Sequence, residues 1–188
     1  MNTLSEAICF ATAAFDGMVR KVEHRPAILH SLEAAVIAST VTDETEAVIA
    51  AVLHDTVEDA GVSLSEIEVR FGARVAELVA AESENKREDQ NPEDTWMIRK
   101  QEALDALKSS RDRGLKAMYL GDKLSNMRSL YRGFCTTGDE LWTHFHQKDP
   151  AAHKWYYCTI AECLVEYRDT AAYAEYVDLI RKIFGDIG

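Results

Sequence analysis

Apolar residues recur three and four positions apart along almost the whole chain, and only three prolines and nine glycines interrupt them. That spacing is the period of helices with one buried face. A first helix is predicted from Ser5 to about Val22, with Ala7, Ile8, Ala11, Ala14, Phe15 and Met18 on one side. Pro26 breaks the chain. A second helix runs from His30 to Val41 and a third from Asp43 to His54, capped by Thr42 or Asp43. Ser63 and Glu66 have the spacing of a capping box and open a helix that ends at Phe71. Gly72 separates it from another helix over Ala73–Ala81. Further helices are expected at Trp96–Ser109, Leu115–Tyr131, Gly138 to about Phe145, Ala151–Tyr167 and Thr170–Phe184. Alternating strand patterns bounded by hairpin turns are absent. The expected fold class is therefore all-α, a single domain over residues 1–188.

Two segments depart from this regular pattern. Between Glu82 and Thr95 the chain is polar throughout, either a solvated linker or a lid carrying Asn85 and Lys86 over a ligand. The third helix ends abnormally: the run Ala47-Val48-Ile49-Ala50-Ala51-Val52-Leu53 leads straight into His54-Asp55, followed by Glu58 and Asp59. A helix so apolar is built for burial, and buried charges must be paired or must ligate a metal. If the helix continues one more turn, Glu58 and Asp59 stand over His54 and Asp55.

Other buried helices supply partners for that pair. His30 opens the second helix ahead of Leu32, Ala34, Ala35, Val36 and Ile37. Asp122 lies within Met118-Tyr119-Leu120-Gly121-Asp122-Lys123-Leu124, with Asn126 one turn later on the same face. His30, His54, Asp55 and Asp122 thus form a candidate metal site of two imidazoles and two carboxylates on three helices. His144 and His146 are two apart and so face opposite ways, and His24 and His153 sit in polar surroundings. Trp155, Tyr156, Tyr157, Ile160, Leu164 and Tyr167 read as core.

At 188 residues, 47% hydrophobic and 28% charged, the composition is that of a soluble globular protein. No apolar run approaches the roughly 18 residues of a membrane span. The N-terminus lacks the basic stretch of a secretory signal. Cys9, Cys135, Cys158 and Cys163 have no metal spacing and are expected as buried thiols of a reducing cytoplasm. The net charge of −11 speaks against a broad nucleic-acid surface but not against a small phosphorylated ligand held by a few converging cations. Arg20, Lys21, Arg25, Lys123 and Arg128 are the candidates. A cytoplasmic location is expected, with a small-molecule partner, no nucleic acid and no membrane; the oligomeric state is left open.

The order His30, His54-Asp55, Asp122 resembles that of the HD-domain metal-dependent phosphohydrolases. More narrowly, His54-Asp55-Thr56-Val57-Glu58-Asp59 resembles the H-D-x-x-E-D element of the RelA/SpoT-type alarmone hydrolases. Gly121 through Arg128 is similar to their A-D-[RK]-L-x-N-x-R element, and Arg20-Lys21, Pro26 and His30 to their R-K…P-x-x-x-H element. The likeness covers residues 10 to 165, and the chain resembles the stand-alone small hydrolases of that family. Met18, Ala27 and Ser125 depart from the common residues, at positions taken to shape the substrate site rather than the metal site.

The resemblance implies an HD helical bundle that hydrolyses guanosine 3′,5′-bis(diphosphate) alarmones, (p)ppGpp, to GDP or GTP and pyrophosphate. It implies one Mn²⁺ held by His30, His54, Asp55 and Asp122, although such ligands also suit Zn²⁺ or Fe²⁺. Glu58 and Asp59 would activate the attacking water or protonate the leaving 3′-oxygen. Arg20 and Lys21 would contact the base or phosphates, Asn126 and Arg128 the sugar or phosphate, and Lys86 the ligand from the loop. Two alternatives stay open: a phosphatase of another nucleotide (an adenosine alarmone, NADPH or a dNTP), and a non-enzymatic nucleotide sensor.

Overall fold

The structure, a computed structural model, describes residues 3–20, 24–85, 87 and 89–186. In order, its helices are α1 Leu4–Ala14, α2 Ile28–Ala38, α3 Thr45–Asp59, α4 Leu64–Phe71, α5 Ala73–Glu82, α6 Pro92–Ser109, α7 Arg113–Thr137, α8 Pro150–Cys163 and α9 Ala171–Phe184. Short 3₁₀ turns at Gly138–His144 and Val165–Tyr167 join the last of these. Among the described residues there is no strand, only an isolated antiparallel bridge between Val19 and Pro26. The fold is all-α.

Local chemistry sets most of the helix starts. Thr3 and Glu6 close a reciprocal capping box at α1. Ser63 accepts from the Glu66 N–H at α4, Asn91 from Glu93 at α6, Asp149 from Ala151 at α8 and Thr170 from Tyr173 at α9. Pro92 and Pro150 sit in first turns, where a missing N–H costs nothing.

Several boundaries differ from the sequence expectation. The first helix stops at Ala14, not near Val22, because Gly17 takes a left-handed backbone (φ 73°) that turns the chain. Met18 therefore leaves the helix, and its carbonyl accepts from the Ala27 N–H at 2.9 Å. The second helix ends at Ala38, not Val41. The third begins at Thr45 behind Glu44, and neither Thr42 nor Asp43 is its cap. It then runs five residues past His54, to Asp59. The four cysteines are not buried thiols: Cys9 and Cys135 are exposed, and Cys158 and Cys163 half-buried.

The chain forms two compact units. The first comprises residues 3–20, 24–83 and 111–125 of those described. Here α3 is the central element, packed by α1, α2 and α5, while α4 packs on α5. Ala47, Ile49, Ala50, Ala51, Val52 and Leu53 are all buried, so α3 has apolar contacts on nearly every side. Arg74 ties this unit together at one end. It donates to Glu44 at 2.7 Å and forks onto Asp112 at 2.6 and 2.8 Å, which holds the Asp112 carboxyl below its usual range.

The second unit comprises residues 84–110 and 126–186 of those described, with α6 and α9 packed on α8. Its core is aromatic: Trp96, Trp142, Tyr156, Tyr157, Tyr167 and Tyr176 are buried. His153 belongs to this core, contrary to the polar surroundings expected for it. Its ring lies 5.1–5.3 Å from those of Trp96, Trp142 and Phe145, and its Nε2–H donates to the Gln147 carbonyl at 2.8 Å. The polar segment before α6 is largely engaged within the same unit. Glu84 meets Arg99 at 2.9 Å and Lys100 at 2.5 Å, and Arg87 forks onto Glu102.

Candidate metal centre

Helices α2 and α3, and the part of α7 that belongs to the first unit, deliver the candidate site. His30 stands in the first turn of α2, His54 in the buried stretch of α3, and Asp122 near the middle of α7. All three are buried. Gly121 explains how α7 comes so close to α2: a Cβ at that position would collide with the Ala34 carbonyl oxygen and crowd the Ala38 amide. The absence of that one atom lets the next residue, Asp122, reach His30.

The donor atoms converge. One ligand atom from each of His30, His54 and Asp122 lies within 4.8 Å of the others. The two Nε2 atoms are 3.3 Å apart. Asp122 Oδ1 is 2.9 Å from His30 Nε2 and 3.5 Å from His54 Nε2. Asp55 approaches from the more open side, its oxygens 3.3 Å from His54 Nε2 and 3.6 Å from His30 Nε2.

The tautomers can be assigned from the partners. His54 Nδ1 lies 2.8 Å from the Ala51 carbonyl, which only accepts, so Nδ1 carries the proton and the neutral ring leaves Nε2 bare. Ser125 Oγ donates its single proton to Glu33 at 2.7 Å, so it can only accept from His30 Nδ1, 2.8 Å away. His30 Nε2 is then bare as well. With both rings neutral, two imidazole lone pairs and two carboxylates face one point with no N–H or O–H among them, an arrangement that a cation or a bound proton reconciles. Adjacent ligands about 2.1 Å from a single ion stand roughly 3.0–3.5 Å apart, which matches the spacings here. The donor set fits a divalent metal.

The electrostatics of the protein agree with that picture. Burial works against charge on His54, but Asp55 and Asp122 outweigh it and raise its pKa well above the usual imidazole value. For His30 burial wins, and its pKa is lowered despite Asp122. Burial also opposes ionisation of both carboxyls. It is overcome at Asp55 by His54, and at Asp122 chiefly by Lys123, so both lie well below their ordinary range. The two carboxylates thus favour a positive charge at the imidazoles they face.

Lys123 contacts Asp122 Oδ2, which leaves Oδ1 to face the imidazoles. Its Nζ also lies 3.5 Å from Oε1 of buried Glu82, and 5.1 Å from the Tyr119 ring centroid. Neither Glu82 oxygen has a hydrogen-bond partner among the described residues, and burial pushes its pKa up to about 8. Lys123 is therefore engaged by the site itself, although the sequence offered it as a ligand-binding cation. Glu82, Glu33 and Ser125 were not singled out as part of the metal site. Glu82 could have been, since it completes the buried stripe Val75, Leu78, Val79 at helical spacing.

The remaining candidates are placed as follows. Glu58 and Asp59 form the last turn of α3, one turn beyond His54 and Asp55, with Glu58 half-buried and Asp59 exposed. Arg20 lies beside the donors, its Nη1 3.9 Å from Asp55 Oδ2. Asn126 and Arg128 belong to the second unit, where Arg128 forks onto Glu175 with two bonds of 2.7 Å. Lys21 and Lys86 lie outside the described residues.

With the site in view, the class is clear: a profile described as the HD domain matches residues 7–149, and the chain belongs to that family. Among its relatives is the mouse guanosine-3′,5′-bis(diphosphate) 3′-pyrophosphohydrolase MESH1, 36% identical over 136 residues, 71% of each chain. A solved metazoan ortholog of SpoT, which hydrolyses ppGpp and plays a role in starvation responses, is also similar. It superposes with a TM-score of 0.72 at 25% identity, over 95% of this chain and 93% of that one. A crystal structure of a Listeria monocytogenes EGD-e protein gives 0.71 at 28% identity, over 84% of this chain and 99% of the other.

Proposed function

We propose that this protein is a metal-dependent phosphohydrolase that removes the 3′-pyrophosphate from (p)ppGpp. The observation that carries the proposal is the convergence of the His30 and His54 Nε2 atoms with the carboxylates of Asp122 and Asp55 on a helix whose next turn bears Glu58 and Asp59. Relatives carrying the name of that activity support the choice of substrate.

His30, His54 and Asp122 would hold one divalent ion with Asp55 as the fourth, more accessible ligand; Mn²⁺ is the ion the family resemblance favours. Bound there, such an ion would supply Lewis acidity toward a phosphoryl oxygen and toward the attacking water. The residues of the chain do the rest. Lys123 holds Asp122 Oδ2 so that Oδ1 faces the imidazoles. Arg20, next to Asp55, supplies positive charge for a phosphate or a face for the base.

Glu58, and Asp59 beside it, take the proton of the attacking water and return one to the leaving 3′-oxygen. Water oxygen adds to the inner phosphorus of the 3′-diphosphate, the bond from that phosphorus to O3′ breaks, and both phosphates leave together as pyrophosphate. Asn126 and Arg128 would contact the sugar or phosphate, Lys21 with Arg20 the base or phosphates, and Lys86 the ligand from its loop; Arg128 forks onto Glu175.

The test is product identity. Metal-loaded protein given ppGpp is expected to yield pyrophosphate and GDP in equal amounts, with no orthophosphate. Orthophosphate release from NADPH, a dNTP or an adenosine alarmone, with ppGpp left intact, would overturn the substrate and leave the metal chemistry standing.

A further inference from the structure

His30 and His54 are oriented by different means. The Nδ1–H of His54 is held by the Ala51 carbonyl of its own helix, a backbone group that no substitution removes. The Nδ1–H of His30 has no such partner. It meets Ser125, whose Oγ is 2.8 Å away and whose one proton is already committed: the hydroxyl accepts from the imidazole and donates to Glu33 Oε2 at 2.7 Å. Ser125 is buried and Glu33 half-buried. Glu33 lies one turn after His30 on α2, and Ser125 one turn after Asp122 on α7, so the helices that carry two of the donors also carry their support.

We propose that Glu33 and Ser125 are a positioning pair for His30, in which the Glu33 carboxylate sets the direction of the Ser125 hydroxyl and thereby fixes the Nδ1–H tautomer that aims Nε2 at the metal site. A carboxylate joined to a ligating imidazole is a common way to fix ring orientation and raise ligand basicity. Here a hydroxyl is interposed. If the Ser125 proton pointed at His30 instead, Nδ1 would have to accept, Nε2 would be protonated, and the ring would turn a donor toward the other ligands. Glu33 excludes that arrangement because a carboxylate can only accept. Ser125, expected from its departure from the family motif to shape the substrate site, is thereby assigned to the metal ligand.

The inference rests on the metal-centre reading but not on which nucleotide is hydrolysed. It is tested by nitrogen-15 NMR of histidine-labelled, metal-free protein at pH 8, together with Mn²⁺ titration calorimetry. In the native sequence His30 should show a protonated Nδ1 and a bare Nε2. Ser125→Ala and Glu33→Leu should lose that fixed tautomer and weaken Mn²⁺ binding by about 10–100-fold, the usual effect of removing a ligand's hydrogen-bond partner. Glu33→Gln, whose amide oxygen still accepts from Ser125, should keep both. The double variant should be no weaker than Ser125→Ala alone, because the two residues act in series.

An unchanged His30 tautomer in Ser125→Ala, or losses that add in the double variant, would overturn the inference. Native protein that binds no Mn²⁺ would instead count against the metal-centre reading, while the tautomer measurement would still decide the role of Glu33 and Ser125.

Discussion

Glu58 and Asp59 occupy the last turn of α3, one turn beyond His54 and Asp55, with Glu58 half-buried and Asp59 exposed. That position separates holding a metal from using it. Glu58→Gln is expected to keep the divalent ion while lowering turnover by roughly 10²–10⁴, the range for loss of a general acid or base. Steady-state kinetics beside a metal titration would check it, and undiminished turnover would move proton transfer to Asp59 or to solvent. At this scale the sequence was legible where chemistry clashed with its surroundings. His54-Asp55 at the end of an apolar run, His30 heading another and Asp122 within a third all violate the ordinary cost of burying charge. Glu33 was passed over, and Ser125 and Lys123 were read toward the substrate rather than the metal site, because each is unremarkable on its own helix and acquires its part only from a partner on another helix or on the neighbouring residue.

Among the elements, existence was easier to read than extent. Helical periodicity located every helix, yet it ran on through Asp16 and Gly17 because a left-handed glycine leaves no mark in a pattern of apolar positions. It stopped short at His54 because the last turn of α3 is polar. The close approach of α7 to α2 was also invisible, since a glycine within a helix usually reads as a weakness rather than a contact. Its effect can be measured. Gly121→Ala introduces the residue that the resembling motif carries there, but in this chain the new Cβ meets the Ala34 carbonyl. We expect a loss of stability of about 1–3 kcal/mol, typical of overpacking, with a fall in metal affinity as Asp122 is pushed from His30. Denaturant melts with metal titrations would show both. Unchanged metal affinity would mean that α7 can shift without moving Asp122.

Taken over the whole molecule, the acidic balance of −11 and the few cations near the site describe a protein whose attraction for an anionic nucleotide must be local. Arg20 beside Asp55 supplies positive charge next to the donor cluster, and the ion itself would supply more. No helix among the described residues is long and apolar enough to cross a membrane. Membership of the HD family follows from a match across most of the chain, and the order of His30, His54-Asp55 and Asp122 anticipates it. Everything chemical proposed here depends on one ion in that cluster. The deciding measurement is elemental analysis of the purified protein, with divalent-metal titration after stripping. About one divalent ion per chain is expected in the native sequence, as two neutral imidazoles and a carboxylate would hold, and loss of that ion in both His54→Ala and Asp122→Ala. A folded native protein that takes up no divalent ion, or a His54→Ala variant that keeps it in full, would contradict the metal centre.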